Sequence, residues 1–299
     1  DGYDSDGFDS DGYDADGNEI DSDGDGIIDS YDAYPNDSSM AFKSFSITAL
    51  DNYDDTIDNS LVLWLDSSNI SNNDNTQINI NDTLIEWIDI SGKQNNSIIR
   101  GNPSLQSNGV YFDGDDHIEI PDSSSMTVSE YSIFIIIHLY QMPNTWYGII
   151  GKPGRNNHIS IPIDGYVHHR FKYNGNKNNG VSNTSTYTIN ASTDYLILID
   201  NGQTTARTFV DGVSLVDEMF TSQTAESGIT YIGKNGDGKN KHYLNGYIKE
   251  ILFFNKELSE ENRIKINSYL SNKWSLTNTM DSDGDGIVDN LDSIPTGDY

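Results

Sequence analysis

Asp21-Ser22-Asp23-Gly24-Asp25-Gly26-Ile27-Ile28-Asp29-Ser30-Tyr31-Asp32 sets carboxylates at positions 1, 3, 5, 9 and 12 of a twelve-residue loop. Glycine stands at position 6 and an aliphatic residue at 7, the ligand order of a calcium loop: alternate side chains point oxygens inward, Gly26 allows the sharp turn, and the Ile27 carbonyl adds a ligand. The tail repeats the pattern ligand for ligand with Asp281, Asp283, Asp285, Gly286, Ile287, Asp289 and Asp292. A second site overlapping the first would use Asp14, Asp16, Asn18 and the Ile20 carbonyl, although Glu19 stands where glycine is wanted. Ahead of it, the pentapeptides Asp1-Gly2-Tyr3-Asp4-Ser5, Asp6-Gly7-Phe8-Asp9-Ser10 and Asp11-Gly12-Tyr13-Asp14-Ala15 offer carboxylate pairs, Asp4 with Asp6 and Asp9 with Asp11. Their competing reading is a solvated acidic tail. The implied ion is Ca2+ rather than magnesium, because the loops offer many flexible carboxylates where magnesium prefers few protein ligands and several waters.

These loops explain where the charge sits. The 299 residues carry 17 Lys+Arg against 47 Asp+Glu, a net charge of -30. Residues 1–40 hold 14 acids and residues 281–299 hold 6, with no Lys or Arg in either segment. Such a balance excludes a binder of the phosphate backbone, which needs a basic face, and an anionic membrane would repel it as well. There is no cysteine, so disulfides and thiolate chemistry are absent. No apolar run is long enough for a membrane span; the longest candidate, Ile133 to Leu139, is strand-sized. The start at Asp1 is expected of a mature or excised segment. The domain reading is an acidic calcium-binding repeat segment at 1–40, a globular domain at 41–280 and a calcium loop at 281–299.

The globular middle must position whatever else the chain does. Short β-branched and aromatic runs recur between Asn, Gly, Ser and Asp: Leu61 to Asp66, Leu84 to Asp89, Val110 to Asp113, Ser132 to Tyr140, Tyr195 to Asp200, Arg207 to Asp211, Ile229 to Ile232 and Tyr247 to Phe254. Each is expected to be a strand. One stretch reads as helix: Ser259 caps it, Glu260 and Glu261 suit its positive end, and Ile266, Tyr269, Leu270 and Trp274 recur at three- and four-residue spacing. The fold class is therefore all-β, an antiparallel sandwich with one C-terminal helix, flanked by calcium-binding loop repeats.

Two resemblances follow. Tyr111-Phe112-Asp113-Gly114-Asp115-Asp116-His117-Ile118-Glu119-Ile120-Pro121, Phe209-Val210-Asp211-Gly212-Val213, Ile232-Gly233-Lys234, and Leu244 to Ile251 through the helix ending at Trp274 resemble a concanavalin A-like or laminin-G-like jelly roll. The resemblance implies the fold and leaves activity open among glycan-binding modules, adhesion domains, spacers and some glycosidases. At the two ends, the loops followed by Pro35 and Pro295 resemble cysteine-free thrombospondin type 3 repeats of bacterial surface proteins. That resemblance implies order supplied by calcium.

A glycosidase would need two carboxylates flanking the bond. The nearest strings are Glu19-Ile20-Asp21, which belongs to the calcium leader, and Glu86-Trp87-Ile88-Asp89, whose alternation puts its acids on opposite faces. His168-His169-Arg170 reads as a solvent-facing hairpin, and a further calcium ion at Asp113, Asp115 or Asp116 competes with a plain hairpin turn. No catalytic residue is assigned, and the chain reads as non-enzymatic. Sugar-stacking aromatics are sought at Trp146, Tyr147 and around His168 to Tyr173, whereas Trp64, Trp87 and Trp274 read as core. The functional expectation is an extracellular, calcium-stabilised structural or adhesive protein, a unit of a tandem array or head-to-tail filament. The alternative is a calcium-dependent glycan-binding module; glycoside hydrolysis is more remote. Partners are then other copies or tandem domains, and glycans, with no nucleic acid and no membrane insertion. Chelation should leave residues 44–276 folded while both ends become protease-sensitive, and equal protection of the ends with and without chelator would remove the calcium assignment.

Overall fold

A computed structural model describes residues 59–72, 75, 78–154, 156–171, 180–182, 188–219, 225–236 and 242–297. In chain order the strands are β1 (Leu61–Asp66), β2 (Ile98–Arg100), β3 (Ser104–Gln106), β4 (Gly109–Asp113), β5 (His117–Ile120), β6 (Tyr131–Leu139), β7 (Trp146–Lys152) and β8 (Asn156–Pro162). They continue with β9 (His168–Arg170), β10 (Gly180–Ser182), β11 (Asp194–Asn201), β12 (Thr205–Val210), β13 (Val213–Met219), β14 (Thr230–Ile232) and β15 (Asn245–Phe254), and the helix α1 (Glu260–Lys273) follows. One sheet runs β13-β12-β11-β6-β15-β4-β3, with β1 also on β15; the other runs β10-β9-β8-β7-β14-β5-β2. The pairings are antiparallel throughout. The result is the expected jelly-roll sandwich.

The core lies between the sheets. Ile133, Ile135, Ile137 and Leu139 of β6 and Ile197 and Ile199 of β11 face Ile149, Ile159, Ile161, Ile118 and Ile232 of the second sheet. Alternation predicts polar residues on the opposite face of β6, yet Phe134 and Ile136 there are equally buried. The helix is the reason: a strand covered on both sides reads as a continuous apolar run. Ser259 caps α1 by accepting the Asn262 N–H, and Glu260 and Glu261 occupy its first turn as expected.

Two ion clusters fasten the helix to the sheet. Near its start, the Arg263 guanidinium lies 3.1 Å from the buried Asp200 carboxylate, which also takes Arg207 at 2.9 Å. At its end, Lys273 pairs with Asp66 of β1 and with Glu250 of β15, the latter at 2.9 Å. Glu250 accepts the indole N–H groups of Trp64 at 2.7 Å and Trp274 at 2.6 Å. Burial pushes the Glu250 carboxyl up to about 7 against the pull of Lys273. Burial alone would lower the Lys273 pKa, but Asp66 and Glu250 override it and hold it well above its ordinary value.

β15 carries the feature that organises this face. Ile248 pairs with Ile137 of β6, but Glu250 pairs with Ile136, so Lys249 is an extra residue, a bulge. Before the bulge β15 pairs with β4; after it, with β1. Lys249 reaches Asp194 at 2.7 Å and lies over the Trp274 ring.

One expected strand is absent. Residues Leu84 to Asp89 form an irregular segment whose N–H groups go elsewhere: Ile88 to the Ile70 carbonyl, Trp87 to Ser97 Oγ and Asp89 to Asn96 Oδ1. The apolar run is there to insert Leu84 and Trp87 into the core, which irregular backbone achieves once side chains satisfy its N–H groups. Lys273→Met leaves Asp66 and Glu250 buried without their cation, a loss of about 3–5 kcal/mol. Urea denaturation at pH 7.5 is expected to show that loss, with E250Q/K273M recovering part of it.

Candidate metal centre

The sequence places the C-terminal loop directly after the helix, and the tertiary structure holds it against the sandwich. Asp281 donates its N–H to the Asp211 carbonyl at the tip of the β12–β13 hairpin, 3.2 Å away. Gly212 is required by that approach: a Cβ there would lie 1.6 Å from the Asp281 carbonyl oxygen. From the helix, Asn267 Nδ2 donates to the Ser282 carbonyl. Asp281, Ser282 and Asp289 are buried as a consequence.

The loop then turns its carboxylates together. One carboxylate oxygen from each of Asp281, Asp283 and Asp285 lies within 4.8 Å of the others. Asp281 accepts the N–H groups of Gly284 at 2.8 Å and Gly286 at 2.9 Å. Asp283 accepts from Asp285, and Asp285 from Ile287. Gly286 has φ +95° and a Cβ added to it would meet nothing within 4 Å, so backbone angle rather than space demands glycine. Partial burial, with Asp285, Asp292 and Asp281 nearby, raises the Asp283 pKa against the Asp285 N–H. Hard oxygen donors, converging and in excess of any nearby cation in the loop, are the donor set that suits calcium.

Two ligand candidates of the same loop are placed otherwise. Asp289 turns to Ser282, accepting its N–H and its hydroxyl, each at 2.8 Å. Asp292 accepts the Ile294 N–H at 2.9 Å while remaining close enough to raise the pKa of Asp283. The leader candidates, Asp4, Asp6, Asp9, Asp11, Asp14, Asp16, Asn18, Asp21, Asp23, Asp25, Ile27, Asp29 and Asp32, lie outside the described residues.

The second acidic group, Asp113, Asp115 and Asp116, shapes the β4–β5 hairpin. The buried Asp116 accepts the N–H groups of Asn102 at 2.7 Å and Asp113 at 3.3 Å. Asp89 is likewise structural: its carboxylate takes the N–H groups of Trp64, Ser91 and Asn95, while Glu86 is exposed. A cavity of 650 Å³ beside the start of α1 is lined by Arg207, Glu257 and Arg263. Its two guanidinium groups are already committed to Asp200.

His168-His169-Arg170 is corrected from a solvent-facing hairpin to the inner strand β9, with both histidines buried. The alternation does hold. His169 lies 2.8 Å from the Tyr131 hydroxyl, while His168 packs edge-on against Trp146 with ring centroids 5.2 Å apart. Tyr147 is core rather than a surface aromatic, and Tyr173 lies outside the described residues. Trp64 and Trp87 are buried as expected, and Trp274 is half-buried on Glu250.

A row the sequence reading missed lies on the helix-free half of the first sheet. Tyr111 and Tyr247 are cross-strand partners, as are Tyr247 and His138, and His138 and Asp194. The alternation around Val110-Tyr111-Phe112 and Gly246-Tyr247-Ile248 puts both tyrosines outward, but only the register makes them neighbours.

Two stacked antiparallel sheets in this order define a jelly-roll sandwich of lectin type. The chain belongs to the concanavalin A-like lectin/glucanases superfamily, whose laminin-G-type family model matches residues 112–262. Among curated proteins nothing matches it. Solved structures share the fold at low identity. A mutant of Trypanosoma rangeli sialidase displaying trans-sialidase activity is 13% identical with TM-score 0.51, covering 72% of this chain and 33% of that one. Botulinum neurotoxin type C, in a structure concerned with its interaction with two ganglioside molecules, is 15% identical with TM-score 0.51, covering 72% and 52%. Domain 4 of AbnA, a GH43 extracellular arabinanase from Geobacillus stearothermophilus in complex with arabinotriose, is 14% identical with TM-score 0.48, covering 67% and 94%. The match spans about a third of the sialidase chains.

Two buried groups set opposite pH dependences. Burial, with His168 beside it, holds the His169 imidazole down to about 3. Its contribution to stability is complete above pH 6.5 and is lost as pH falls toward 3, at about 1.4 kcal/mol per pH unit. Glu250, raised from 4.5 to about 7, behaves inversely, its contribution being present below 4.5 and lost as pH rises through 7. Between pH 7 and 5, H169Q should therefore lose less stability than the parent and E250Q more, as read from thermal or urea unfolding at each pH.

Proposed function

We propose that this chain is an extracellular, non-enzymatic adhesive module whose partner is a glycan and whose C-terminal loop is ordered by calcium. The observation that carries it is the trio Asp281, Asp283 and Asp285 drawn together on a loop fastened to the hairpin tip and the helix. Asp281, Asp283 and Asp285 would hold the ion, with Asp292 near at hand. Calcium supplies a positive charge that compensates the clustered carboxylates. The protein's own part is to fix the first ligand: Asp211, Gly212 and Asn267 hold the start of the loop before any ion arrives. Calcium loops of extracellular modules bind at about 10⁻⁴ to 10⁻³ M, which suits an extracellular setting.

Glycan recognition draws support from the lectin-type family and from a shared fold with a neurotoxin described as depending on gangliosides. A binding role rather than hydrolysis is supported by the structural duties of Asp89 and Asp116, which serve backbone N–H groups.

A second reading, assembly into a tandem array or filament, is favoured by Ile287, Leu291 and Ile294, which stand exposed on the calcium loop and just beyond it. Aliphatic groups clustered on a surface segment are characteristic of a contact face. The two loops at opposite ends of the sequence would resemble thrombospondin type 3 repeats placed to join one unit to the next. Glycan-array binding with calcium and with chelator, alongside light scattering of the same samples, tests both. Calcium-dependent saccharide binding by a monomer supports the first reading. Calcium-dependent growth in mass without saccharide binding supports the second, and the absence of both effects would overturn the proposal.

A further inference from the structure

The outer face of the first sheet is divided in two. Its helix-covered half buries Phe134, Leu198, Leu252 and Phe254. The other half, before the Lys249 bulge, carries Tyr111, Tyr140, Tyr247 and His138. Tyr111 and Tyr247 have ring centroids 4.9 Å apart, Tyr111 and Tyr140 6.2 Å, and His138 and Tyr247 5.5 Å. Tyr140 is 60% exposed and its neighbours are half-buried, so ring surface is presented to solvent rather than enclosed.

Hydrogen-bonding groups line this platform. The Tyr247 hydroxyl donates to Gln106 Oε1 at 3.2 Å, and the Tyr111 hydroxyl reaches Asn245 Oδ1 at 3.5 Å. Those contacts steady the rings and leave hydroxyl and amide groups at the rim. Contiguous aromatic surface edged by neutral donors and acceptors matches the two surfaces of a sugar, whose C–H face stacks on a ring while its hydroxyls bond at the margin.

The charges select among sugars. Lys249, the cation at this face among the described residues, is buried and bound to Asp194, which also takes His138. Asp113, exposed at the end of β4, adds negative charge at the margin next to Asn245. A sialylated or uronate-rich chain would meet these carboxylates while the Lys249 ammonium is already engaged, within a protein of net charge -30.

We infer that the Tyr111–Tyr140–Tyr247 platform binds a neutral oligosaccharide laid across β4, β15 and the end of β6, and that it discriminates against acidic glycans. This rests on the glycan reading above and adds to it a site and a substrate class. The rings are inclined to one another, by 39° between Tyr111 and Tyr247 and 65° between Tyr111 and Tyr140, and they spread across neighbouring strands, which favours an extended chain over a single sugar.

Affinity electrophoresis of the full calcium-saturated chain tests it, with gels containing neutral arabinan, β-glucan or galactan and, in parallel, polysialic acid or alginate. Retardation by at least one neutral polymer, and by neither acidic one, is expected. Y140A and Y111A should weaken that retardation tenfold or more, Y247F should largely keep it, and W146A on the other sheet should leave it unchanged. Tyr140 is exposed enough that Y140A should unfold at the parent's temperature, which separates lost binding from lost fold. Retardation that survives all the tyrosine substitutions would overturn this site while leaving glycan recognition standing. A preference for the acidic polymers would overturn the substrate class. No retardation by any polymer would remove the glycan reading and this site together.

Discussion

The structure depends on one irregularity, the extra residue at Lys249 in β15. A single inserted residue lets one strand serve two neighbours in succession, β4 before it and β1 after it. Side-chain direction changes phase with it. Tyr247 stands on the open half of the outer face, and Glu250 begins the half beneath the helix. Lys249 stabilises its own distortion by bonding Asp194 and lying over Trp274. Helix attachment, the Trp64–Glu250–Trp274 network and the aromatic platform all follow from where that residue falls.

The helix would be poorly held by apolar contact alone. Its ends are fixed by Asp200 and by the Asp66–Glu250 pair, charges whose burial is tolerable because each meets an oppositely charged group and further hydrogen bonds. Such clusters add geometric definition more than net stability. By fixing the helix, they also fix Asn267, and through it the start of the acidic loop that follows the helix. Sandwich, helix and loop are thus successive consequences of one another within the compact unit Asp54–Tyr299.

Much of this was legible in the residues. The strand runs at 61–66, 132–140, 195–200 and 247–254 and the Ser259-capped helix could be read because side-chain period and capping are local properties. The run at 84–89 misled because an apolar stretch records burial and not hydrogen-bond pattern. His168 and His169 misled for another reason: adjacent strand residues face opposite sides, which suggested a solvent-facing hairpin, whereas Tyr131 packs against one ring and Trp146, from another strand, against the other.

The sequence by itself determined the all-β class, the C-terminal helix, the concentration of acid at both ends and the spacing that brings Asp281, Asp283 and Asp285 to one side of a turn. These depend on neighbours a few residues apart. Only the tertiary structure decided that Gly212 and Asn267 fasten that loop, that Asp289 serves Ser282 rather than the trio, and that Tyr111 and Tyr247 stand side by side. Each of those depends on register between distant strands or on a contact across the fold, and strand register is set by the packing of the whole core rather than by any local pattern.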